Sequence, residues 1–206
     1  MIIGLTGGIA SGKTTVSNIL QELGAEIVDA DRIAHQILKK GNRGWQQVID
    51  YFGSDIVDEK GEIDRSQLAT RIFNNQKDKE KLEEITHPLI IEIIKNRITK
   101  LQNKKNDNKK KMIVLVAPLL YEAGLEDLVD QVWVVYVNRE VQKKRLQNRD
   151  KISAEEADNR INSQLSLNKK KQMADIVIGN NGTREELRTR VEEVWEKGKG
   201  KCNNYY

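Results

Sequence analysis

Short continuous apolar runs alternate with helical stripes along the chain, and this pattern predicts an α/β fold. An apolar run of roughly four to eight residues, bounded by glycine, proline or polar residues, is typical of a buried strand. The runs that predict such strands are residues 1–6, 25–31, 112–118, 131–137 and 174–180.

The first two predicted strands enclose a glycine-rich loop and a helix. The helix is expected to begin at Thr14 and to end near Gly24, because glycine is favoured just past a helix C-terminus. The order strand, loop, helix, strand is a βαβ unit, which implies a parallel sheet with a right-handed crossover. Apolar side chains spaced i, i+3, i+4 and i+7 line one face of this helix, namely Val16, Ile19, Leu20 and Leu23.

Two stretches without a convincing strand predict helical insertions. Residues 32–111 carry a helical apolar stripe, whereas residues 139–173 are dense in Arg, Lys, Gln and Asn and have too little apolar content for a core. A last helix is expected over residues 183–197, followed by a frayed tail over 199–206. The supporting stripes are Ile90, Ile93, Ile94, Ile98 and Leu101 in the first insertion, and Leu187, Val191, Val194 and Trp195 in the last helix.

The predicted architecture is therefore a five-stranded parallel sheet flanked by helices, with two helical insertions. Its core comprises residues 1–31, 112–138 and 174–198. The insertions at 32–111 and 139–173 interrupt this core.

Composition and charge bear on the number of domains and on the class of binding partner. The chain has 206 residues, of which 38% are hydrophobic and 32% charged, enough for one domain with appendages. The formal net charge of +4 suits a polyanionic partner, from a nucleotide to nucleic acid, and equally a surface coated with lysines. The lysine-rich residues 102–111 have no interleaved aromatic residue, which favours a solvated loop over a nucleic-acid patch.

Several features lead us to expect a cytoplasmic location. The one cysteine, Cys202, cannot form an internal disulfide, which fits a reducing compartment. Residues 1–8 lack the basic segment that precedes the apolar part of a secretory signal. No apolar run is long enough to span a bilayer, so no membrane partner is expected.

The loop after the first strand matches the pattern G-x-x-x-x-G-K-[ST], with Gly7, Gly12, Lys13 and Thr14 at the fixed positions. Glycines let successive backbone N–H groups point inward as an anion nest, and the following helix adds its free N–H groups. In such loops the lysine reaches the β- and γ-phosphates and the hydroxyl ligates Mg²⁺. Because the loop follows a strand and opens a helix, we interpret it as a P-loop that binds a nucleoside triphosphate.

Three classes of P-loop protein compete for this sequence: a GTP switch, a motor or nucleic-acid ATPase, and a small-molecule kinase. A GTP switch usually carries Asn-Lys-x-Asp, and the nearest stretch, "NKKK" from Asn168, lacks the aspartate. A motor ATPase usually has a carboxylate at the end of the strand equivalent to residues 112–118. Val116, Ala117 and Pro118 supply none, so the pattern favours the kinase.

A kinase of this type needs an acceptor-binding insertion, a carboxylate near the acceptor hydroxyl, and a mobile lid that carries arginine. Asp29 and Asp31 end the second predicted strand at the carboxyl edge of the sheet, where ligands bind. Gln142, Arg145 and Arg149 fall at i, i+3 and i+7 on one helix face. The alternative for this face is a set of ordinary surface arginines in solvent.

Eight ordered motifs are spaced along the chain. They are "IGLTGGIASGKTTV", "VDADRIAH", "GEIDRSQLATRIF", "ITHPLI", "PLLYEAG", "QKKRLQNRD", "RINSQ" and "ADIVIGNNGT". This series resembles that of the dephospho-CoA kinase family, from residue 1 to about residue 195. The resemblance implies ATP-dependent phosphorylation of the ribose 3′-hydroxyl of dephospho-coenzyme A with Mg²⁺, the last step of coenzyme A biosynthesis. It also implies a P-loop core, a helical acceptor domain over 32–111 and a lid over 139–173.

The resemblance implies a role for each matching residue, and it implies ATP and dephospho-CoA as partners, without nucleic acid or another protein. Lys13, Asp31 and Arg145 would be catalytic, with Asp31 as the base or orienter of the acceptor hydroxyl. The nucleotide would contact Gly7, Gly8, Ala10, Ser11, Gly12, Lys13, Thr14, Thr15, Arg149 and, near the adenine, Asn180, and Thr14 would also hold the metal. The acceptor would contact Thr6, Asp31, Arg65, His87, Pro118, Leu119 and Glu122.

Three positions depart from the family pattern. Ala10 stands where glycine is frequent, which narrows the conformational freedom of the loop. Val116 and Gly179 stand where aspartate is frequent. The metal would then rely on Thr14, phosphate oxygens and water, with Asp31 as a further candidate ligand.

Structural roles are the alternatives for four of these residues. His87 would be packed at a helix start, with the following proline at the first helical position. Arg65 would be a plain N-terminal helix residue, and Glu122 a cap or an ion-pair partner. Asp31 would cap a helix that begins one residue later. At the level of function, the alternatives are another nucleoside or nucleotide kinase and a P-loop ATPase that binds nucleic acid.

Overall fold

The computed structural model of the chain describes residues 1–103 and 112–203, the last five of these by backbone only. Residues 104–111, part of the predicted surface loop, and residues 204–206 of the predicted tail lie outside the described residues. The chain forms two compact units. The core unit comprises Met1–Val28 and the described residues from Ile98 onward, and the helical unit comprises Asp29–Arg97.

The core unit is built on a five-stranded parallel sheet, as the apolar runs predicted. Its strands are β1 (Ile2–Gly7), β2 (Glu26–Asp29), β3 (Ile113–Val116), β4 (Gln131–Tyr136) and β5 (Ile176–Gly179). They stand in the order β2-β3-β1-β4-β5, so β1 and the glycine loop that follows it lie in the middle of the sheet. In this register Leu5 pairs with Val116 on one side and with Trp133 on the other.

Helices occupy most of the remaining described chain. They are α1 (Lys13–Glu22), α2 (Ala30–Ile37), α3 (Arg43–Phe52), α4 (Arg65–Asn74), α5 (Gln76–Gln102), α6 (Arg139–Asp150), α7 (Ala154–Asn162), α8 (Leu167–Met173) and α9 (Arg184–Asn203). Of these, α1 and α9 pack against each other and against the sheet. They bury alternate side chains of the strands, because successive residues of a strand point to opposite faces. This buried cluster includes Ile3, Leu5, Val16, Leu20, Trp133, Val135, Leu187, Val191 and Trp195.

The last helix is longer than the sequence predicts. It continues to Asn203 through residues 199–203, which were expected to belong to a frayed tail. Trp195 is buried in the core cluster and holds the helix on the sheet. This packing outweighs the low helix propensity of the glycines near the C-terminus, since propensity is only a weak prior when tertiary contacts are available.

Residues 139–173 form the helices α6, α7 and α8, as predicted for a helical insertion. The expectation that this segment has too few apolar residues to form a buried core is wrong. They bury a small apolar cluster between two helices and the glycine loop, while most of their remaining surface is polar. A few apolar residues at helical spacing are enough to anchor such a segment. The cluster comprises Leu146, Ala157 and Ile161, with Ile9, Ala10 and Ile152 packed against it.

The helical unit has its own apolar core. An isolated antiparallel bridge joins Val57 to Ile63, and the described residues of this unit otherwise form no strand, as predicted. Helix α5 runs without interruption through Pro88, so the alternative in which a helix begins at that proline is wrong. The core comprises Val48, Phe52, Ile56, Ile63 and Leu68, with Leu38, Trp45, Ile49, Val57, Ile72, Leu82 and Ile85 packed against it.

Within the residues described, every helix is too short or too polar to cross a lipid bilayer.

Candidate active site

The glycine loop leaves the N-terminus of α1 open. Gly12, the residue before α1, has a φ of 97° and provides no side-chain cap. The first turn of α1 contains no acidic residue. The free N–H groups and the positive end of the helix dipole are therefore available to a ligand in the loop, and both favour an anion.

The side chain of Lys13 folds back over this loop. Its ammonium group donates hydrogen bonds to the carbonyl oxygens of Gly7, at 2.9 Å, and Gly8, at 3.1 Å. Thr14 and Thr15 follow as the second and third residues of α1, and Thr14 is exposed. The buried hydroxyl of Ser11 has no hydrogen-bond partner in the described part of the chain. The ammonium group of Lys13 therefore lies at the loop, where phosphate oxygens of a bound nucleotide would be charged acceptors for it.

Asn180, which was predicted to lie near the adenine, contacts the glycine loop. Its side chain is 7% exposed, and its amide donates a 2.8 Å hydrogen bond to the carbonyl oxygen of Ser11. A Cβ atom at Gly12 would collide with this amide, and the positive φ of Gly12 also disfavours any other residue. Asn180 and Gly12 therefore form one close contact that supports the loop.

Ala10 adopts a backbone conformation that favours glycine. Its φ is 57°, in the left-handed region, which costs a residue with a Cβ atom about 1 kcal/mol or more. Its side chain packs against the apolar cluster of α6 and α7. Burial of this methyl group offsets part of the strain, so the predicted restriction of the loop has a specific structural basis.

A fully buried lysine, Lys170, ties α8 to the residues that follow β3. Its side chain is 0% exposed, and its ammonium group lies 2.8 Å from one carboxylate oxygen of Glu122 and 3.0 Å from the other. The same group donates a 2.7 Å hydrogen bond to the carbonyl oxygen of Pro118, which also accepts a bond from the hydroxyl of Thr6 at 3.2 Å. Glu122 further accepts a 2.9 Å bond from the N–H of Leu165. Glu122 is therefore an ion-pair partner, as its structural alternative predicted.

Two other side chains of the segment after β3 differ in their surroundings. Leu119 is exposed. The hydroxyl of Tyr121 is buried and has no hydrogen-bond partner in the described part of the chain. Burial, with the nearby carboxylates of Asp175 and Glu126, raises the pKa of Tyr121, so its hydroxyl stays protonated at neutral pH.

The two arginines predicted for one face of α6 have different environments. Arg145 is half-buried and forms no hydrogen bond or ion pair within the residues that the structure describes. Arg149 is exposed and donates a 2.7 Å hydrogen bond from Nε to Asp150, which also pairs with Arg160 at 2.8 Å. The bond between Arg149 and Asp150 raises the pKa of the guanidinium and lowers that of the carboxyl group. Arg145 is thus the arginine whose charge is available to a ligand.

Two further residues, Lys170 and Gln164, contact the site although no prediction from the sequence names them. Lys170 stands between Lys169 and Lys171, and nothing in the local sequence distinguishes the buried lysine from its exposed neighbours. Gln164 accepts a hydrogen bond from the N–H of Ile9 in the glycine loop. Its only sequence signal is its place in the motif "RINSQ".

The donor set around the loop fits Mg²⁺ with few protein ligands. Thr14 presents an exposed hydroxyl on α1, whereas Val116 ends β3 with an apolar side chain. Among the described residues, no three His, Cys, Asp or Glu side chains come together as a metal cluster. Magnesium commonly keeps several waters and binds through one or two protein oxygens plus substrate phosphates, so the arrangement is compatible with this ion.

Three predicted site residues, Asp31, Arg65 and His87, belong to the helical unit. Strand β2 ends at Asp29, two residues before the predicted end, and α2 begins at Ala30. The carboxylate of Asp29 accepts a 3.0 Å hydrogen bond from the N–H of Arg32 and caps the helix. The alternative in which Asp31 is the cap is therefore wrong, and Asp31 lies exposed in the first turn of α2.

Arg65 and His87 lie on different helices of this unit. Arg65 is the exposed first residue of α4, after Asp64, whose carboxylate caps the helix by accepting bonds from Ser66 and Gln67. His87 is half-buried in the middle of α5. Neither side chain forms a hydrogen bond or an ion pair in the described part of the chain. A cation in the first turn of a helix is electrostatically unfavourable, so α4 itself provides no reason for an arginine at this position.

The helical unit also contains an open cavity of about 570 Å³. This volume is within the range of small-molecule sites, which is about 300–1,000 Å³. Its rim carries more positive than negative charge, and Arg97 donates a 2.6 Å hydrogen bond to Gln36 there. The lining residues are Gln36, Ile37, Lys39, Asn42, Arg43, Gly44, Leu89, Glu92, Ile93 and Arg97.

Comparison with known proteins confirms the resemblance found in the motifs. The model of the dephospho-CoA kinase family matches residues 1–186. The chain is 48% identical to the dephospho-CoA kinase of Carboxydothermus hydrogenoformans over 200 residues, which cover 97% of this chain and 95% of that one. It is 44% identical to the dephospho-CoA kinase of Geobacter sulfurreducens over 196 residues, with coverage of 95% and 98%. The solved dephospho-CoA kinase from Campylobacter jejuni is similar with a TM-score of 0.72, at 31% identity and 98% coverage of both chains.

Proposed function

The chain belongs to the dephospho-CoA kinase family, and from this premise we propose which of its residues carry out the phosphoryl transfer. The family catalyses the last step of coenzyme A biosynthesis, with ATP as the phosphoryl donor. The observation that carries the proposal is the glycine loop, in which the ammonium of Lys13 rests on two carbonyl oxygens beside an open helix N-terminus.

On the donor side, the loop residues Gly7 to Thr15 bind the phosphates of ATP. The ammonium of Lys13 leaves the carbonyl oxygens of Gly7 and Gly8 for the β- and γ-phosphate oxygens, because charged acceptors form stronger hydrogen bonds than neutral ones. Negative charge on the transferring group is spread over its oxygens in the loose transition state. Lys13 stabilises that charge, and Asn180 keeps the loop in shape for it.

Arg145 supplies a second positive charge to the transferring phosphoryl group. Unlike the other arginines of α6, Arg145 forms no ion pair with a carboxylate in the described part of the chain. Binding of a phosphoryl group therefore breaks no existing ion pair. Thr14 holds Mg²⁺ together with phosphate oxygens and water, and the ion when bound neutralises phosphate charge. Arg149 has a weaker role, since its guanidinium is engaged by Asp150.

On the acceptor side, the helical unit binds dephospho-CoA. Asp31, an exposed residue in the first turn of α2, accepts or orients the proton of the ribose 3′-hydroxyl. Arg65 binds an acceptor phosphate, which accounts for a cation at the start of α4. The cavity lined by Arg43 and Arg97 holds a charged part of the same molecule, such as the diphosphate. His87 also contacts the acceptor in this proposal, as its motif implies.

The proposal is tested with the purified enzyme, ATP, Mg²⁺ and a panel of acceptors. We expect ADP release and 3′-phosphorylated product with dephospho-CoA, and no comparable release with nucleosides, nucleotides, or short DNA or RNA. Lys13→Met should abolish product formation while the circular dichroism spectrum stays unchanged. Wild-type turnover by folded Lys13→Met would remove Lys13 from the mechanism, and faster turnover with a nucleoside would indicate a different acceptor.

The acceptor side has its own test. Arg97→Ala should raise the KM for dephospho-CoA about tenfold and leave the KM for ATP within twofold, because a charged hydrogen bond contributes on the order of 1.5 kcal/mol. Lys79→Ala is the matched control, since Lys79 is an exposed cation on the same helix and lies outside the cavity. Equal effects of the two substitutions would mean that the cavity does not bind the acceptor. Short DNA or RNA at physiological salt should not compete with dephospho-CoA.

A cytoplasmic location stays a prediction from the sequence.

A further inference from the structure

The tip of the glycine loop is held by side chains from residues 139–173, far away along the chain. The carbonyl oxygen of Ile9 accepts a 2.9 Å hydrogen bond from the side-chain amide of Gln142 on α6. The N–H of Ile9 donates a 2.9 Å bond to the side-chain oxygen of Gln164, which follows α7. Both backbone groups of one loop residue are thus bound by glutamines.

Burial makes the contact with Gln142 specific. Gln142 is 3% exposed, so an amide in this position must find its partners within the protein. A Cβ atom at Gly8 would lie 2.5 Å from the amide nitrogen of Gln142 and 3.1 Å from Leu167. Glycine at this position is therefore what allows the glutamine to approach the loop.

Apolar contacts hold the same part of the loop. Ile9 and Ala10 pack against the buried cluster of Leu146, Ala157 and Ile161. Ala10 keeps its left-handed φ of 57° in this position. The loop tip is therefore fixed by polar contacts at the backbone of Ile9 and by apolar contacts at the side chains of Ile9 and Ala10.

Peptide geometry gives these contacts a consequence for phosphate binding. The carbonyl of Ile9 and the N–H of Ala10 belong to one planar trans peptide and point in opposite directions. Because Gln142 holds that carbonyl, it fixes the direction of the Ala10 N–H and prevents the peptide from flipping. Gln164 meanwhile occupies the N–H of Ile9, so this group is not free to bind an anion.

We propose that Gln142 and Gln164 are positioning residues for ATP, which set the shape of the phosphate nest through the backbone of Ile9. The hydrogen bond from Gln142 orients the Ala10 N–H toward the phosphate site. The hydrogen bond to Gln164 keeps the Ile9 N–H from binding phosphate, so the phosphate-binding N–H groups begin at Ala10. The inference rests on the proposed function of the loop as the ATP phosphate site. It also makes residues 139–173 a part of the phosphate site as well as the source of Arg145.

The test compares Gln142→Met, Gln164→Met and the double variant with wild type. Methionine keeps the length of the side chain and removes its hydrogen-bonding groups. Gln147→Met is the matched control, because Gln147 lies on the same helix and its side chain bonds to no loop residue in the described part of the chain. The readouts are the KM for ATP, the KM for dephospho-CoA, the affinity for ADP by calorimetry, and the Tm.

We expect each single variant to raise the KM for ATP and weaken ADP binding about five- to tenfold, which lies within the range for the loss of one net hydrogen bond. The KM for dephospho-CoA should stay within twofold, and Gln147→Met should match wild type. The double variant should show less than the product of the two single effects, because both act through one residue. A purely structural role would lower the Tm without changing the ratio of the two KM values.

Unchanged ADP affinity in folded Gln142→Met and Gln164→Met would overturn the proposal. Gln164 is half-buried, so its variant keeps the proposal testable even if Gln142→Met does not fold. Calorimetry with ADP requires no turnover. A failure of the proposed acceptor chemistry would therefore appear in the wild-type assay, whereas a failure of the positioning role would appear in the binding data.

Discussion

The ammonium group of Lys170 lies 2.8 Å from the carboxylate of Glu122, and the lysine side chain is fully buried. The pair joins α8 to the segment after β3, and Lys170 also donates to the carbonyl oxygen of Pro118 in that segment. A buried charge is tolerated only when it is paired and hydrogen-bonded, and here both conditions are met.

Lys170→Met should be strongly destabilising. It leaves the carboxylate of Glu122 and the carbonyl oxygen of Pro118 without their buried partner, and removal of one member of a buried pair costs about 3 kcal/mol or more. Chemical denaturation measures the loss. Lys169→Met is the control, because Lys169 is exposed on the same helix and should change the free energy of unfolding by less than about 0.5 kcal/mol. Equal losses in the two variants would show that the pair contributes nothing to stability.

Arg145→Ala should lower kcat at least about a hundredfold with little change in ATP affinity, because a guanidinium that meets the transferring group acts mainly in the transition state. Arg149→Ala should lower kcat less than tenfold, since Arg149 is already bonded to Asp150. Steady-state kinetics, with calorimetry of a non-hydrolysable ATP analogue that keeps the γ-phosphate, separates the two roles in both variants. If ATP affinity falls while kcat is unchanged in Arg145→Ala, Arg145 only binds the ground state.

Asp31→Asn should lose at least about a hundredfold in kcat and keep the wild-type Tm and ATP affinity, because asparagine is neither a base nor an anion. Asp29 provides the matched pair of controls. Asp29→Asn should retain activity and stability, since asparagine caps a helix as well as aspartate does, whereas Asp29→Ala should lose about 1 kcal/mol of stability. Near-normal kcat in Asp31→Asn would leave the catalytic carboxylate to be found elsewhere.

Asp158 should make the stability of the α6–α7 pair dependent on pH in the acid range. Hydrogen bonds from Lys143 and then Arg139 lower the pKa of Asp158 below its ordinary value of 3.8. A depressed carboxyl pKa contributes stability that is fully present above the unfolded value and is lost as pH falls through the folded value. Asp158→Asn should therefore lower the Tm at pH 7, and its difference from wild type should shrink as pH falls below about 4.

Melting curves of wild type and Asp158→Asn between neutral and acid pH check this dependence. Glu193→Gln removes the same charge from an exposed position in the interior of α9, away from the helix ends, so it reports the effect of net charge. A constant difference between wild type and Asp158→Asn at every pH would show that the contribution of Asp158 is not ionic.

Sequence periodicity was sufficient to predict the strands, the helical insertions and the glycine loop. Those features depend on spacing within about ten residues, where the periods of strand and helix are visible. The motif G-x-x-x-x-G-K-[ST] is equally local, and the series of motifs identified the family. Two errors of the prediction were at boundaries: β2 ends at Asp29, so that residue and not Asp31 caps α2, and Trp195 holds α9 in place beyond its predicted end. A third was the apolar cluster of residues 139–173, which their polar composition hides.

Tertiary structure alone decided which polar side chains support the site. Lys170 is one of three consecutive lysines, and only its contacts with Glu122 and Pro118, 48 and 52 positions away, distinguish it. Gln142 and Gln164 reach Ile9 across 133 and 155 positions. Local sequence determines how a segment folds, but burial and pairing of a polar group depend on which segments the sheet brings together, and that information is spread over the whole chain.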